Sequence, residues 1–149
     1  MSVTVDTNIL VYAIDGRDPV KQRVAAELFS VLARRAVPIA LQVIGEFQNA
    51  AVRRLKLPPA FAAASAHQLM ATFATFAYDR AAVEQATSIF ATSRLSYWNA
   101  LLVASVEAVG LSVLISEDMQ DGASYGTVEI INPFSGDGLS QRARVALNL

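Results

Sequence analysis

Short apolar segments alternate along this chain with longer segments of helical periodicity, and this alternation restricts the possible folds more than any other feature. The apolar segments are continuous, which is typical of strands buried on both faces. Such strands, joined through helices, form a mainly parallel sheet with helices on either side. The sequence therefore predicts an α/β fold, a three-layer α/β/α sandwich around a sheet of about five strands. The predicted strands are residues 3–5, 38–41, part of 73–78, 112–115 and 127–131.

Proline, glycine and capping residues mark the ends of the predicted helices. Asp18-Pro19 opens the second helix with proline at its first position. Asp79 and Ser96 are placed to cap two later helices, and Gly110 ends the last one. The predicted helices cover residues 8–14, 19–36, 42–55, 59–72, 80–92 and 97–109.

The length of 149 residues suits one compact domain, and a composition of 54% hydrophobic and 17% charged residues supplies ample material for its core. We assign this domain to residues 1–134. Residues 135–149 contain Ser135-Gly136-Asp137-Gly138 and are expected to form a loose tail.

Several classes of protein are excluded or disfavoured by composition. The chain has no cysteine, which excludes disulfides, thiolate catalysis and cysteine–zinc sites. No apolar run is as long as a membrane span, and the start shows no basic segment followed by an apolar one. We therefore expect no membrane association and no secretory leader, and a cytoplasmic location.

The net charge of −1 limits how the chain can bind nucleic acid. Affinity for phosphate depends on lysine and arginine, so any contact must come from local patches, a dimer groove or bound metal. Arg34-Arg35 and Arg53-Arg54-Lys56 are the candidate patches. They could equally be solvated helix ends, where cations are favourable.

Acidic and amide side chains follow the predicted strands at one edge of the sheet. Asp6 ends the first strand and Asp118 lies just past the fourth, while Glu46 and Asn99 lie early in two helices. Ligands of open parallel sheets bind beyond the carboxyl ends of the strands, so we expect these four residues to converge. Such a cluster suits Mg²⁺ or Mn²⁺, which prefer oxygen ligands.

Each of these residues also has a purely structural interpretation. Asp6-Thr7-Asn8 could cap the first helix, or Thr7 and Asn8 could hold Asp6 in place. Glu46 could be a solvated residue that shares a helical strip with Gln42, Asn49 and Arg53. The segments Ser116-Glu117-Asp118 and Asp121-Gly122 could form an ordinary acidic turn.

Asn99 lies in a helix that is apolar on nearly every side, so it is expected to be buried and to need a polar partner. A capping-box role with Ser96 is the structural alternative. Tyr97 and Trp98 are expected to pack against the core, with base stacking as the alternative.

The order and spacing of these segments resemble the PIN-domain ribonucleases of the VapC toxin kind. The matching segments are Val5-Asp6-Thr7-Asn8, Glu46 on the helix after the second strand, the block from Leu95 to Ser105, and the segment from Ser116 to Gly122. Together they extend over nearly the whole chain.

This resemblance implies a metal-dependent endoribonuclease. Asp6, Glu46 and Asp118 would surround Mg²⁺, with Mn²⁺ as a substitute and with Asn99 at the position of the remaining acid. Asp121 would assist, and Ser116 would orient a water or a carboxylate. The resemblance also implies a homodimer, an RNA substrate and a cognate VapB-type antitoxin whose C-terminal segment fills the active-site groove.

Asn99 departs from the family pattern, which has an aspartate at this position. Asparagine keeps the shape of aspartate and one ligand oxygen but loses the charge, so metal affinity and water activation should fall. The isosteric change favours an engineered inactive variant, and a natural homologue with lost activity is the alternative.

A second class of function is a non-catalytic PIN-fold protein that binds antitoxin or RNA. A phosphatase of the haloacid dehalogenase type would need a second acid where this chain has Asn8. We set that reading aside, together with a response-regulator receiver, which would need an adjacent pair of acids.

Overall fold

The computed structural model describes residues 2–149, so Met1 of the predicted domain lies outside the described part. Its elements, in chain order, are β1 (Val3–Val5), α1 (Thr7–Tyr12), α2 (Pro19–Arg34), β2 (Ile39–Ala40), α3 (Leu41–Arg53), α4 (Pro59–Thr72), β3 (Thr75–Phe76), α5 (Arg80–Thr92), α6 (Tyr97–Ala108), β4 (Val113–Ile115), β5 (Ser124–Tyr125), β6 (Val128–Ile131), β7 (Phe134–Ser135), β8 (Gly138–Leu139) and α7 (Gln141–Ala146).

The central sheet has four strands in the order β1-β4-β6-β5. β4 pairs in parallel with β1 on one side and with β6 on the other. Only the short edge strand β5 is antiparallel, so the prediction of a mainly parallel sheet is confirmed.

The five predicted strands all form, but they are divided between two sheets. β2 and β3 pair with each other in parallel, apart from the central sheet. The hydroxyl of Thr4 in β1 donates to the carbonyl of Pro38 at 2.7 Å, so a side chain bridges the two sheets at this point.

Both faces of the central sheet are covered. Every residue of β1 and of β4 is buried, as the continuously apolar segments predicted. Helix α6 is buried from residue 100 to residue 106, which accounts for its lack of a polar face. No helix within residues 2–149 is both long enough and apolar enough to cross a membrane.

The predicted caps form at the helix starts. The carboxylate of Asp18 accepts from Lys21 N at 3.1 Å, that of Asp79 accepts from Ala82 N at 2.9 Å, and the Ser96 hydroxyl accepts from Asn99 N at 3.2 Å. Gly110 has φ +78° just after α6, a conformation that glycine adopts without strain.

The prediction of a loose tail over residues 135–149 was wrong. β7 and β8 form a hairpin, and Ser140 caps α7 by accepting from Ala143 N at 3.2 Å. Four apolar residues of this segment are buried: Leu139, Ala143, Ala146 and Leu147. The reason is hydrophobic burial, which these residues achieve only when the segment folds back onto the core.

Candidate active site

Asp6 is held at the carboxyl end of two neighbouring parallel strands. Its N–H donates to the carbonyl of Ile115 at 2.9 Å, which continues the pairing of β1 with β4. One carboxylate oxygen accepts from Thr7 N at 2.6 Å and the other from the Ser116 hydroxyl at 2.7 Å. Asp6 therefore caps α1, as the structural interpretation predicted, and it is also held by Ser116. Thr7 holds Asp6 through its N–H, whereas Asn8 does not contact Asp6 and binds Asp118 instead.

Ser116 joins Asp6 to Asp118. Its N–H donates to Ile131 O at 3.0 Å, which places it at the end of β4, and its Oγ accepts from Asp118 N at 3.1 Å. The Asp118 carboxylate accepts from the Asn8 amide at 2.5 Å. The segment from Ser116 to Asp118 is therefore ordered by contacts with β1, α1 and β6.

Glu46 on α3 reaches the same edge of the sheet. Its Oε2 accepts from the Thr7 hydroxyl at 2.9 Å, and its Oε1 accepts from the Gln42 amide at 2.8 Å. Glu46 is therefore not the freely solvated residue that the structural alternative from sequence proposed. Asp6, Glu46 and Asp118 are thus brought together through Thr7, Asn8 and Ser116, and we call these six residues the carboxylate cluster.

Asn99 is half-buried in the first turn of α6, less buried than predicted. Its backbone N–H donates to the Ser96 hydroxyl, and its side chain forms no hydrogen bond within residues 2–149. The neighbouring carbonyl of Trp98 accepts from the Gln42 amide at 2.9 Å, the same amide nitrogen that holds Glu46. The start of α6 is therefore linked to the cluster through Gln42, without a direct bond from Asn99.

The structure does not bring Asp121 to the cluster. Its carboxylate accepts from Asn132 N at 2.8 Å and from Arg142 at 2.9 Å. Gly122, with φ +81°, turns the chain after it toward Ile130. Asp121 therefore fixes a turn and does not contact the other candidate ligands in this conformation.

The carboxylate cluster holds its acids in an environment that disfavours their charge. The pKa of Asp6 is raised from 3.8 to about 6, mainly by burial. The charges of Asp118 and Glu46 also raise this pKa, and the hydrogen bonds from Ser116 and Thr7 oppose the rise. Burial also raises the pKa of Asp118, against the hydrogen bond from Asn8. A nearby cation would relieve both shifts.

The donor set suits a hard divalent ion, although it is not arranged as a finished coordination shell. All the candidate ligand atoms are carboxylate or amide oxygens, which Mg²⁺ and Mn²⁺ prefer. Over the described part of the chain, no three aspartate, glutamate or histidine side chains stand close enough to hold one ion. The chemistry of the residues fits such an ion, but the carboxylate side chains would have to move closer to one another to bind it.

A cleft of about 310 Å³ opens beside the cluster, and we call it the carboxylate cleft. Its cationic wall comes from Arg53 and Arg54 at the end of α3, while Glu46 and Asp118 supply its anionic wall. Arg54 donates to the side-chain amide oxygen of Asn8 at 3.1 Å, so it is linked to the residue that holds Asp118. The patch at Arg53 and Arg54 thus lies at the candidate site as well as at a helix end.

Gln42 was not identified as a site residue from sequence. It lies one helical turn before Glu46 and shares its strip, but only the structure shows that its amide binds the Glu46 carboxylate. Trp98 was expected to pack in the core and is instead 58% exposed. Tyr97 beside it packs partly against the core, as predicted.

The family model of the PIN domain matches residues 3–120, a segment that contains every member of the carboxylate cluster. The chain belongs to the PIN-domain family. The predicted family and the predicted α/β fold are thereby confirmed.

This PIN domain is similar to a solved structure from Mycobacterium tuberculosis, VapC20, described as a toxin that cleaves the sarcin–ricin loop. The identity is 22% and the TM-score 0.62, over 76% of this chain and 87% of that one. At this identity the likeness establishes the fold. No curated protein matches the chain.

Proposed function

We propose that this PIN domain is a metal-dependent endoribonuclease, the toxin of a toxin–antitoxin pair, and that Asn99 weakens its activity in this chain. The observation that carries the proposal is the buried Asp6 carboxylate, linked through Ser116 and Thr7 to Asp118 and Glu46. Three carboxylates at the carboxyl edge of a parallel sheet support a cation-dependent site.

The proposed cation is Mg²⁺, with Mn²⁺ as a substitute, and Asp6, Glu46 and Asp118 would hold it. When bound, it would activate water and stabilise the charge that develops on a phosphate under attack. Asn99 would add a neutral oxygen from the start of α6 where a carboxylate would add a charge. We therefore expect weaker metal affinity and slower cleavage than a fourth acid would give.

The other residues of the site bind and orient. Arg53 and Arg54 line the carboxylate cleft and would attract RNA phosphates. This local attraction is needed because the chain as a whole has a net charge of −1. Ser116 and Thr7 fix the two oxygens of Asp6, while Asn8 fixes Asp118. These bonds hold the carboxylates in place in the metal-free protein.

The proposed partners are a VapB-type antitoxin and a second copy of the chain. Support for both comes from the resemblance to VapC toxins, and the likeness to VapC20, described as a toxin, adds support for the antitoxin. An antitoxin segment would compete with RNA for the carboxylate cleft. Sedimentation of the purified chain tests the homodimer directly.

The decisive experiment compares this chain with its Asn99→Asp variant on total cellular RNA, with Mg²⁺, with Mn²⁺ and with chelator. We expect metal-dependent cleavage by the variant and little or none by the parent. The matched control is the variant with Asp6→Asn added, which should be inactive. Cleavage that persists in this control would point to a contaminating nuclease.

Metal binding supplies a second readout that is independent of activity. Isothermal titration with Mn²⁺ should show an affinity at least about 10-fold higher for Asn99→Asp than for the parent, since even changes around a metal ligand cost this much. Equal affinities would mean that position 99 does not contact the ion.

A non-catalytic PIN-fold protein that binds antitoxin or RNA is the second candidate. The observation that favours it is Asn99, together with the absence of a ready three-carboxylate group over residues 2–149. Under this reading Asn99→Asp does not cleave RNA even when free of antitoxin, while the chain still binds one of these partners.

A further inference from the structure

A second cleft of about 460 Å³ adjoins the carboxylate cleft, and we call it the aromatic cleft. Its lining residues are Gln42, Gly45, Glu46, Asn49, Tyr78 and Trp98. Glu46 and Asn49 line both clefts, so the two form one continuous surface. An RNA strand bound beside Arg53 and Arg54 would therefore lie next to this second cleft.

Two large aromatic side chains of the aromatic cleft are exposed to solvent. Trp98 is 58% exposed and Tyr78 is 46% exposed. The ring of Tyr97 supports the Trp98 indole in an edge-to-face arrangement, with centroids 5.3 Å apart. Exposed aromatic rings beside a polar site are typical of surfaces that bind a flat ligand.

The position of Trp98 is tied to the carboxylate cluster. The Gln42 amide donates both to the Trp98 carbonyl at 2.9 Å and to Glu46 at 2.8 Å. In this arrangement Gln42 Oε1 is buried without a hydrogen-bond partner in the described structure, which is unfavourable for the fold. Gln42 therefore ties the backbone of Trp98 to Glu46 at a local energetic cost.

Gly45 lies between these groups, inside helix α3, where glycine is less stable than alanine. Its backbone does not require glycine, because no positive φ is found there. Packing does not require it either, since an added Cβ would meet nothing within 4 Å. What Gly45 does provide is a bare backbone surface in the aromatic cleft.

We propose that the aromatic cleft is a base-binding subsite, in which an unpaired nucleobase of the RNA stacks on Trp98 beside Tyr78 and over Gly45. The inference rests on the proposed function and adds a specificity element to it. Every base has a face that stacks on an aromatic ring, so the subsite would distinguish unpaired from paired bases more strongly than one base from another.

Trp98 is the only tryptophan of the chain, so its fluorescence reports on this cleft alone. We would titrate the chain with a short single-stranded RNA, with the same RNA annealed to its complement, and with an abasic sugar–phosphate chain of equal length. Stacking predicts quenching by the single strand and much less by the other two. Binding of the single strand without quenching would overturn the subsite.

Three variants test the cleft by affinity for the single strand. Trp98→Ala should lower the affinity for the single strand roughly 5- to 150-fold, the range found for bases stacked on aromatic rings. The matched control is Phe61→Ala, which removes a ring that is 46% exposed on α4 and should leave the affinity unchanged.

Gly45→Ala should weaken RNA binding while it raises the melting temperature of the protein, because alanine favours the helix. Weakened binding with raised stability cannot come from misfolding. If Gly45→Ala and Trp98→Ala both bind RNA as the parent does, the subsite is wrong.

The outcomes also separate this inference from the proposed function. Metal-dependent cleavage by Asn99→Asp that is unaffected by Trp98→Ala would remove the subsite and leave the nuclease. If Trp98→Ala changes the oligomeric state in sedimentation but not RNA binding, the cleft is a protein interface and the subsite is wrong. No RNA binding and no cleavage by any variant would remove both proposals.

Discussion

At the scale of single residues, Asp6 shows how one side chain serves the fold and the candidate site together. Its two carboxylate oxygens accept from Thr7 N and from the Ser116 hydroxyl, and the residue is only 2% exposed. These bonds do not offset burial, because the pKa still rises to about 6. Ionisation of Asp6 therefore lowers the stability of the metal-free protein.

This cost predicts an unusual effect of Asp6→Asn. The native state holds the proton more tightly than the unfolded chain, so the contribution of Asp6 to stability is fully present below pH 3.8 and is lost as pH rises through about 6. In metal-free buffer at pH 7, Asp6→Asn should raise the free energy of unfolding by up to about 3 kcal/mol. Denaturant titrations should show this gain at pH 7 and not at pH 3.

The matched control for this effect is the same pair of titrations with saturating Mg²⁺, in which a bound cation should stabilise the parent and narrow the difference. An Asp6→Asn protein that is less stable than the parent at both pH values would contradict the prediction. The hydrogen bonds of the carboxylate would then outweigh its burial.

At the scale of elements, Glu107 joins three parts of the chain that are distant in sequence. From the end of α6 its carboxylate accepts from Thr127 N at 2.9 Å and from the Thr127 hydroxyl at 3.2 Å, just before β6, and also from Gln85 on α5. The hydrogen bond from the Thr127 backbone, the largest cause, lowers the pKa of Glu107. The carboxylate is therefore stabilising above its unfolded pKa, and this contribution is lost as pH falls.

Glu107→Ala should lower the free energy of unfolding at pH 7 by about 1–3 kcal/mol, because it removes the hydrogen bonds that Thr127 and Gln85 make to a charged carboxylate. The matched control is Glu84→Ala, which breaks only an exposed pair with Arg80 and should cost less than about 0.5 kcal/mol. Urea denaturation of the two variants and the parent measures both values. Equal effects would show that the Glu107 bonds contribute no more than a surface pair.

At the scale of the whole molecule, the C-terminal segment completes the core. Leu147 is 1% exposed, and the guanidinium of Arg35 at the end of α2 donates to its carbonyl. Arg23 of α2 also donates to the Asp137 carbonyl at 3.0 Å. Residues that the sequence suggested were a loose tail are therefore part of the folded domain.

Leu147→Ala should lower the free energy of unfolding by about 2–5 kcal/mol, since it leaves a cavity in a packed interior. Leu149→Ala is the matched control, because Leu149 is 53% exposed and its loss should change stability by less than about 0.5 kcal/mol. Chemical denaturation distinguishes the two. Similar midpoints for both variants would mean that the segment detaches from the core in solution.

Much of the candidate site could be predicted because its residues follow directly from strand ends. Asp6 and Ser116 come straight after β1 and β4, and parallel pairing places these ends together. The contacts of Asp121 could not be predicted because an acid in a turn has no periodicity to show which way it faces. Trp98 was misplaced because its neighbours are apolar, while the helix direction leaves it at the surface.

The sequence by itself determined the α/β class, the five apolar strands, the helix caps and the acids that follow β1 and β4. These depend on local periodicity and on chain direction, which are read along the sequence. Only the tertiary structure decided the division of the strands into two sheets, the packing of residues 135–149, and the continuity of the two clefts through Glu46 and Asn49. These depend on contacts between segments far apart in the chain, which hydrophobic burial selects only when the whole molecule folds.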